Sequence, residues 1–395
     1  MQREKIIVLF TVLVDVIGFG IVIPILPFYV SSFGASPFVV TMLFSAYALF
    51  SFVSSPFLGA LSDRVGRRPV LLASISSTAI GWFVFAAANS IPLLFLGRII
   101  DGAMAGNFTV AQSCLVDVAR DEKERGANLG LIGAAFGIGF LIGPVLGGFL
   151  STVSHAFPFW VAGGLATVNS ILAHMFLPET HKNRDPQAAL SFNPLTPLAR
   201  AATNTELRPL FLRWAAFAFA FSASQSVFAL FTQDVLGYTA FATGMLFTVI
   251  GVFTIINQGV LLKRFWLKKY SERWLEQVSF VGLAVGLALM GSRWEWLFLG
   301  ALPLLAVSSS LLRVVITSQV AGSVGPQRKG EVLGILSSFM SAAMVIAPIL
   351  AGALFEIYES IPYALAAFLI AGAAVNAIRT PRIAAPVTAG AAPER

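Results

Sequence analysis

The sequence has 395 residues, of which 57% are hydrophobic and only 11% are charged. A soluble chain has about 45–50% apolar and about 25% charged residues, so too few polar side chains remain here to cover a water-facing surface. This composition excludes a large soluble enzyme and a disordered chain. Apolar stretches recur from one end of the sequence to the other, which excludes a soluble domain on a single anchor. The sequence therefore predicts a polytopic membrane protein.

The sequence offers no pattern for metal or cofactor chemistry. Its one cysteine, Cys114, excludes an internal disulfide and a cysteine-based metal site. The three histidines are scattered and form no cluster of ligands. There is no Gly-x4-Gly-Lys-Ser/Thr phosphate loop for ATP-driven transport. We expect no cofactor and no metal, and we do not expect an enzyme.

Twelve stretches are long enough to cross a bilayer as helices, which takes about 20 apolar residues each. The first is too long for a signal-peptide core and has no small-residue cleavage site after it, so we expect it to be a retained span. The strict alternation of a membrane β-barrel is absent. The predicted spans, numbered 1 to 12, cover 6–30, 39–61, 70–89, 92–117, 128–150, 156–177, 210–233, 241–262, 276–291, 296–320, 332–354 and 361–378.

Positive charge is concentrated on one side of this predicted bundle. Of the 26 basic residues, 23 fall near the termini or in segments that follow even-numbered spans. Cytoplasmic loops are enriched in Lys and Arg, so we predict a cell (inner) membrane protein with both termini cytoplasmic. This asymmetry accounts for the net charge of +7 without a nucleic-acid partner. The set is Arg3, Lys5, Arg64, Arg67, Arg68, Arg120, Lys123, Arg125, Lys182, Arg184, Arg200, Arg208, Arg213, Lys263, Arg264, Lys268, Lys269, Arg273, Arg328, Lys329, Arg379, Arg382 and Arg395.

The chain divides into two related halves. We predict an N-terminal six-helix bundle over 1–177, a cytoplasmic linker over 178–209, a C-terminal six-helix bundle over 210–378 and a cytoplasmic tail over 379–395. A shift of 204 residues aligns 124–150 with 328–354 without a gap, and it matches a loop glycine, a helix proline and a later glycine. Duplicated halves with the site between them are a transporter architecture, in which one half rocks against the other.

The loop after span 2 carries the pattern Gly-x3-Asp-Arg-x-Gly-Arg-Arg, formed by Gly59, Asp63, Arg64, Gly66, Arg67 and Arg68. An ordinary positive-inside loop would explain the arginines but not the whole pattern. It strongly resembles the signature loop of major facilitator transporters. The resemblance implies an all-α integral membrane protein with twelve transmembrane helices in two pseudo-symmetric six-helix bundles, and a conformational lock between them. We assign Asp117 and Arg120, at the end of span 4, to the same lock.

Span 5 carries a second pattern, Gly-Pro-x-x-Gly-Gly, preceded by glycines spaced four apart. As a bare stripe of small residues it would be an ordinary packing face. It resembles the antiporter motif of drug:proton exporters, which implies that it seals the outer side of the contact between the halves. Span 1, around Asp15, is similar to the first span of the tetracycline-efflux branch. The motif residues in span 5 are Gly139, Gly143, Pro144, Gly147 and Gly148.

The C-terminal counterpart of the signature loop departs from the family pattern. It is degraded to Lys263-Arg264-Phe-Trp-Leu-Lys-Lys. The resemblance therefore fixes the fold better than the substrate.

Four charged residues fall well inside predicted spans, away from the span ends, where a charge costs about 2.5–3.5 kcal/mol at the centre and is functional by default. Asp15 and Asp101 each lie near the midplane, and Arg98 shares a helix face with Asp101. We predict Asp15 and Asp101 as proton-coupling carboxylates, since burial favours the protonated form of a carboxyl. Which of the two titrates is left open, because Asp101 can instead form a partly structural ion pair with Arg98, and a satisfied ion pair titrates poorly. The alternative for Asp15 is a permanently hydrogen-bonded carboxyl that only braces spans 1 and 4. Arg313 attracts an anionic substrate or simply extends to the interface.

These residues define the predicted substrate cavity, since spans 1, 4, 7 and 10 line the cavity of major facilitators. The predicted cavity residues are Asp15, Arg98, Asp101, Asn107, Gln112, Gln225, Asn257, Gln258 and Arg313.

The sequence thus predicts a proton-driven exporter of small, amphipathic or drug-like compounds that works by alternating access. Its expected partners are the small-molecule substrate, protons and membrane lipid, and the family resemblance implies a monomer. One alternative is a facilitator or proton symporter that imports a metabolite on the same fold. Another is a receptor-like protein, which would bind ligand without net flux.

Overall fold

The computed structural model describes residues 3–181, 193–325 and 328–380. Within these residues the chain is helical without strands, and twelve helices are long and apolar enough to cross a membrane. The predicted all-α fold with twelve spans is confirmed. In chain order, spans 1 to 12 are Arg3–Val22, Pro37–Val65, Arg67–Ala86, Ile91–Asp117, Glu122–Leu150, Phe157–Phe176, Arg208–Asp234, Ala240–Lys269, Glu272–Met290, Glu295–Gly322, Lys329–Ile357 and Ile361–Arg379.

The spans form a bundle with two ends. We call the end with the loops after even-numbered spans the basic end, and the end with the loops after odd-numbered spans the far end. One apolar core lies in the N-terminal half and includes Val8, Leu71 and Leu115. The larger core begins with Val22 and Leu26 in the N-terminal half and continues through the C-terminal half. The two halves therefore share buried apolar side chains at the far end.

Span 1 is shorter than predicted. We expected one helix over 6–30, but the helix ends at Val22 and a separate short helix runs over Leu26–Ser31. Pro24 disfavours helical geometry at Ile23, and Pro27 has no N–H for a helical hydrogen bond. The short helix is buried in the shared core.

Span 4 is also interrupted. It consists of the helices Ile91–Ala103 and Asn107–Asp117, separated by Met104–Gly106. The two glycines near this break allow close packing, because a Cβ added at Gly102 would lie 2.7 Å from the Tyr47 carbonyl oxygen and one at Gly106 would lie 2.9 Å from Ser74 Oγ.

Span 8 changes its helical geometry partway. It is α-helical over Ala240–Ile256, π-helical over Asn257–Trp266 and α-helical again over Leu267–Lys269. It therefore extends seven residues beyond the predicted end at 262. A ten-residue π-helix is unusual, since this geometry appears mostly as single turns.

The predicted domain boundaries stay predictions. Of the linker, the described part contains a short helix, Thr196–Thr203, while residues 182–192, including Lys182 and Arg184, lie outside the described residues. Residues 381–395 of the predicted tail, with Arg382 and Arg395, also lie outside them.

One loop assignment is wrong. We counted Arg213 among the basic loop residues, but its side chain is buried inside span 7. Its Nη1 lies 2.7 Å from Glu276 Oε1 of span 9, and its Nε donates to Asn376 Oδ1 of span 12 at 3.0 Å. Gln319 of span 10 donates to Glu276 Oε2 at 3.1 Å. The buried ion pair of Arg213 and Glu276, with its hydrogen bonds, therefore joins spans 7, 9, 10 and 12 of the C-terminal half.

Candidate functional site

Asp15 lies midway along span 1 with its side chain half-buried. Its Oδ1 accepts a hydrogen bond from Asn169 Nδ2 of span 6 at 3.3 Å, and Asn107 of span 4 lies beside it. Gly18 is on the same helix face, and a Cβ added there would meet no atom within 4 Å. The face of span 1 that carries Asp15 therefore borders open space.

Asn169 was missing from the predicted site. It is 1% exposed and also donates to the Thr11 carbonyl oxygen at 3.3 Å. Asn169 therefore joins span 6 to span 1 at both Thr11 and Asp15. The signal in the sequence was a lone amide in the middle of span 6. Such a polar side chain in a membrane span points inward and takes a partner.

Arg98 and Asp101 are both buried on span 4, with side chains 3% and 6% exposed. Their closest contact, between Arg98 Nη2 and Asp101 Oδ2, is 3.9 Å, which is long for an ion pair. Within the described residues, Arg98 Nε and Nη2 have no hydrogen-bond partner. The cation instead lies in an aromatic box, since its Cζ is 4.0 Å from the Trp82 ring centroid and 5.5 Å from that of Tyr47. Cation–π attraction compensates part of the burial cost.

The two carboxyls and the arginine form one group in the N-terminal half. Asp15 and Asp101 are close enough to interact electrostatically. Asn107 lies beside Asp15 and donates to Thr78 Oγ1 at 3.2 Å, while Thr78 also lies beside Asp101. Two neighbouring carboxyls do not both ionise without cost, because like charges disfavour each other. This group can therefore hold an exchangeable proton.

The other predicted cavity residues are not part of this group. Arg313 is exposed in the middle of span 10, with its Cζ 5.3 Å from the Phe221 ring centroid of span 7. Gln225 lies one turn from Phe221 on the same helix face and is half-buried. Gln112 is half-buried in the second part of span 4. Their cavity roles stay predictions.

Asn257 and Gln258 lie where span 8 becomes π-helical. Asn257 is fully buried and already fully engaged, since it donates to Ser310 Oγ at 2.7 Å and accepts from Trp266 Nε1 at 2.7 Å. Gln258 is exposed. These contacts give Asn257 a bracing position between spans 8 and 10.

Arg67 is the centre of the signature loop. Its Nη1 lies 2.6 Å from Asp63 Oδ1 and its Nε 3.1 Å from Asp117 Oδ2. The backbone N–H groups of Arg67 and Arg68 donate to the Glu179 carboxylate at 2.9 and 3.3 Å. Asp63 therefore contacts the basic cluster of its own loop.

The remaining loop residues define its shape and neighbours. Gly66 has a positive φ of 109°, which favours glycine between spans 2 and 3. Gly59 lies near the Thr109 side chain of span 4. Arg120 donates its backbone N–H to Glu124 Oε2 at 3.0 Å, at the start of span 5. Every partner named for this loop belongs to the N-terminal half. Glu179 was not predicted from the sequence, because it follows span 6 and is distant in the chain.

The glycines of the span 5 motif face two different helices. Gly139, Gly143 and Gly147 pack on span 1, where an added Cβ would lie 2.6 Å from Val16 Cγ1, 2.7 Å from Gly20 Cα and in collision with the Ile21 carbonyl oxygen, respectively.

Pro144 and Gly148 of the same motif face span 8, in the other half. A Cβ added to Gly148 would lie 3.0 Å from Phe241 Cα, and one added to Gly244 would lie 2.5 Å from the Pro144 carbonyl oxygen. One short motif thus contacts both its own half and the opposite half.

The halves meet again at the far end through spans 2 and 11. The Phe38 N–H donates to Glu356 Oε1 at 3.0 Å, and Gly352 packs directly against Thr41.

Spans 5 and 11 lose these contacts toward the basic end. A Cβ added at Gly126, Gly130 or Gly133 of span 5 would meet no atom within 4 Å, and the same holds for Gly330 and Gly334 of span 11. Among the described residues, glycines of spans 5 and 11 therefore pack on the opposite half toward the far end, whereas these five face open space toward the basic end.

The geometry is that of a two-half membrane transporter, and the comparisons with known proteins agree. The model of the Major Facilitator Superfamily matches residues 8–265 and 261–393. The chain therefore belongs to the Major Facilitator Superfamily, and it is a multi-pass membrane transporter and not an enzyme.

Several relatives are similar over nearly the whole chain. The quinolone resistance protein NorA of Staphylococcus aureus (strain Mu50 / ATCC 700699) is 26% identical over 369 residues, which cover 93% of each protein. The class C tetracycline resistance protein of Escherichia coli is 28% identical over 386 residues, which cover 97% of this chain and 96% of the relative. The crystal structure of the human organic anion transporter MFSD10 (TETRAN) matches with a TM-score of 0.72 and 23% identity, covering 95% of this chain and 99% of that one.

Proposed function

We propose that this transporter exports small, amphipathic or drug-like compounds in exchange for protons. The observation that carries the proposal is the pairing of Asp15 with Asn169 on a helix face that borders open space. A carboxyl held by the amides of Asn169 and Asn107 beside open space can gain and lose a proton. The resistance proteins among the relatives support drug-like compounds as the substrate class.

The proton cycle uses the two states of a rocking pair of halves. With the far end open, Asp15 takes a proton from the outside and the substrate leaves. With the basic end open, the proton leaves to the cytoplasm and the substrate enters. One proton moving inward down about 100 mV provides about 2.3 kcal/mol for export. In this proposal the basic end is cytoplasmic, both termini included, and the protein acts as a monomer.

Asp101 and Arg98 support this cycle in the same group. The 3.9 Å separation of Arg98 Nη2 and Asp101 Oδ2 makes this ion pair a loose one. Loss of the proton from Asp15 creates a negative charge near Asp101, which favours the protonated form of Asp101.

The two motifs act at opposite ends in this proposal. Pro144 and Gly148 of span 5 close the far end against span 8. The network around Arg67 holds the basic ends of spans 2, 3 and 4 as one body while the halves move.

To test the proposal, the protein is expressed in efflux-deficient bacteria, and the resistance of the cells to a panel of toxic compounds is measured. We expect resistance to some compounds, and we expect it to disappear with Asp15→Asn and with a proton uncoupler. The matched control is Asp121→Asn, which makes the same chemical change at an exposed helix N-cap where asparagine caps as well as aspartate. The control keeps full resistance.

The alternative is import of a metabolite on the same fold. Cells that gain no resistance to any compound, and that accumulate a compound instead, would overturn export and leave an import role. Resistance that survives both Asp15→Asn and the uncoupler would overturn proton coupling through Asp15.

A further inference from the structure

The basic end of span 8 carries a compact group of exposed cations, the degraded counterpart of the signature loop. Lys263, Arg264, Lys268 and Lys269 are all exposed. We call these four residues the 263–269 patch. The ion pairs found among the described residues include none of the four.

The corresponding loop of the N-terminal half uses its positive charge inside the protein. Arg67 is bound by Asp63 and Asp117, and Arg68 Nη2 donates to the His174 carbonyl at 2.7 Å. Two loops at equivalent places in the repeat therefore differ in one respect. Arg67 and Arg68 of the first have partners within the protein, whereas none of the four cations of the second has an ion-pair partner among the described residues.

The patch is held in a defined place. The π-helix begins at Asn257, which is bound to Ser310 of span 10, and ends at Trp266, whose indole N–H donates back to Asn257 Oδ1 at 2.7 Å. This bond joins the two ends of the π-helical segment. The segment that carries Lys263 and Arg264 is therefore fixed relative to span 10. π-Helical turns often mark functional sites.

A run of aromatic rings lies beside the patch. The ring centroids of Phe265 and Trp266 are 4.8 Å apart, and those of Tyr270 and Trp274 are stacked at 4.1 Å. Lys269 Nζ is 5.5 Å from the centroids of both Phe265 and Tyr270. Trp and Tyr are enriched at the depth of lipid headgroups, where one side of the ring is apolar and the other is wet.

We propose that the 263–269 patch binds the phosphate headgroup of an anionic phospholipid in the leaflet at the basic end. Basic residues next to a membrane span are attracted to acidic headgroups, with roughly a fivefold gain in affinity for each Lys or Arg. The aromatic rings place this end of span 8 at the depth of the lipid headgroups, and the four cations attract the headgroup phosphate. The site is independent of the transport direction, because it depends only on the headgroup and this end of span 8.

The test titrates the purified protein with phosphatidylglycerol, phosphatidylcholine and glycerol 3-phosphate, and measures bound ligand by native mass spectrometry. The patch variant combines Lys263→Gln, Arg264→Gln, Lys268→Gln and Lys269→Gln. The control variant removes four charges from the same end, at other exposed positions, and combines Arg125→Gln, Arg200→Gln, Arg208→Gln and Arg379→Gln.

We expect the wild type to bind phosphatidylglycerol in preference to phosphatidylcholine. The patch variant binds it at least tenfold more weakly, and the control variant binds it within about twofold of the wild type. A photoactivatable phosphatidylglycerol gives a second readout on the unmodified protein, and we expect its cross-links within 263–274.

Three results would overturn the proposal. Equal weakening in both variants means that only the total charge matters. Binding of glycerol 3-phosphate as tight as that of the lipid means that the site takes a free phosphate, not a membrane headgroup. Cross-links spread evenly over the loops of the basic end mean that no such site exists.

Discussion

The buried charge of Arg213 makes a residue-scale prediction that is independent of transport. Arg213 and Glu276 have side chains 6% and 2% exposed, so removal of either one leaves the other buried without a counter-ion. Loss of one partner of a buried pair costs about 3–5 kcal/mol, which lowers the melting temperature of a domain of this size by roughly 10 °C. We expect this fall for Arg213→Met in thermal denaturation of the purified protein.

Two further variants make this measurement decisive. The double variant Arg213→Met/Glu276→Met removes both charges, and we expect it to recover most of the lost stability. The exposed pair Arg293 and Glu359 is the control, since Arg293→Met there changes the melting temperature little. The pKa of the Glu359 carboxyl is lowered by its own backbone N–H and by Arg293. The stability that this pair contributes is therefore fully present above the ordinary carboxyl pKa and is lost as the pH falls through the lowered pKa. A double variant as unstable as Arg213→Met would contradict the account.

Single residues also show what the sequence could and could not predict about the site. Asp15, Asp101 and Arg98 were predicted because a charge in an apolar span is costly and therefore conspicuous. Asn169 and Trp82 were not, because Asn169 lies on span 6, outside the spans expected to line the cavity, and an aromatic ring in a span is not conspicuous. Their importance comes only from which charged side chain lies beside them, and that is a property of the packing.

At the scale of elements, span 5 predicts a sharp difference between glycines of one helix. A Cβ on Gly147 would collide with the Ile21 carbonyl oxygen of span 1, whereas a Cβ on Gly130 would meet no atom within 4 Å. Backbone cannot give way as a flexible side chain does, so Gly147→Ala forces spans 1 and 5 apart. We expect Gly147→Ala to lower thermal stability and to abolish resistance, and Gly130→Ala to change neither. Comparable stability of the two variants would show that spans 1 and 5 are not in this contact.

The elements also show how far hydrophobic length predicts helix boundaries. The twelve spans were predictable because each must bury its backbone hydrogen bonds over about 20 residues. The breaks at 23–25 and 104–106 were not, since both segments are as apolar as the helices beside them. Prolines 24 and 27 were the available signal for the first break. In the second, the glycines allow the approach of spans 2 and 3, which no single-helix pattern reveals.

For the whole molecule, the sequence predicted two halves but not which end of them would be closed. The same hydrophobic and charge patterns are compatible with both states of a rocking transporter. What selects the state seen here is the sum of the far-end contacts, between Pro144 and Gly244, Gly148 and Phe241, and Gly352 and Thr41. The contacts between spans 5 and 8 are close approaches to backbone atoms, which can separate without leaving a charge unpaired. Between spans 2 and 11, separation also frees the Glu356 carboxylate from the Phe38 N–H.

The open end and the orientation can be tested together by cysteine labelling. The single cysteine, Cys114, is fully buried and is first replaced by alanine. Gly130→Cys then places a thiol on span 5 at the basic end, where the structure leaves open space, and Ser154→Cys places one in the exposed far-end loop of the same span. We expect a membrane-impermeant maleimide to label Gly130→Cys in inside-out vesicles only and Ser154→Cys in right-side-out vesicles only. The reverse pattern would show that the basic end is outside, against the proposed direction of export. Labelling of Gly130→Cys only after denaturation would show instead that the halves are closed at the basic end in the membrane.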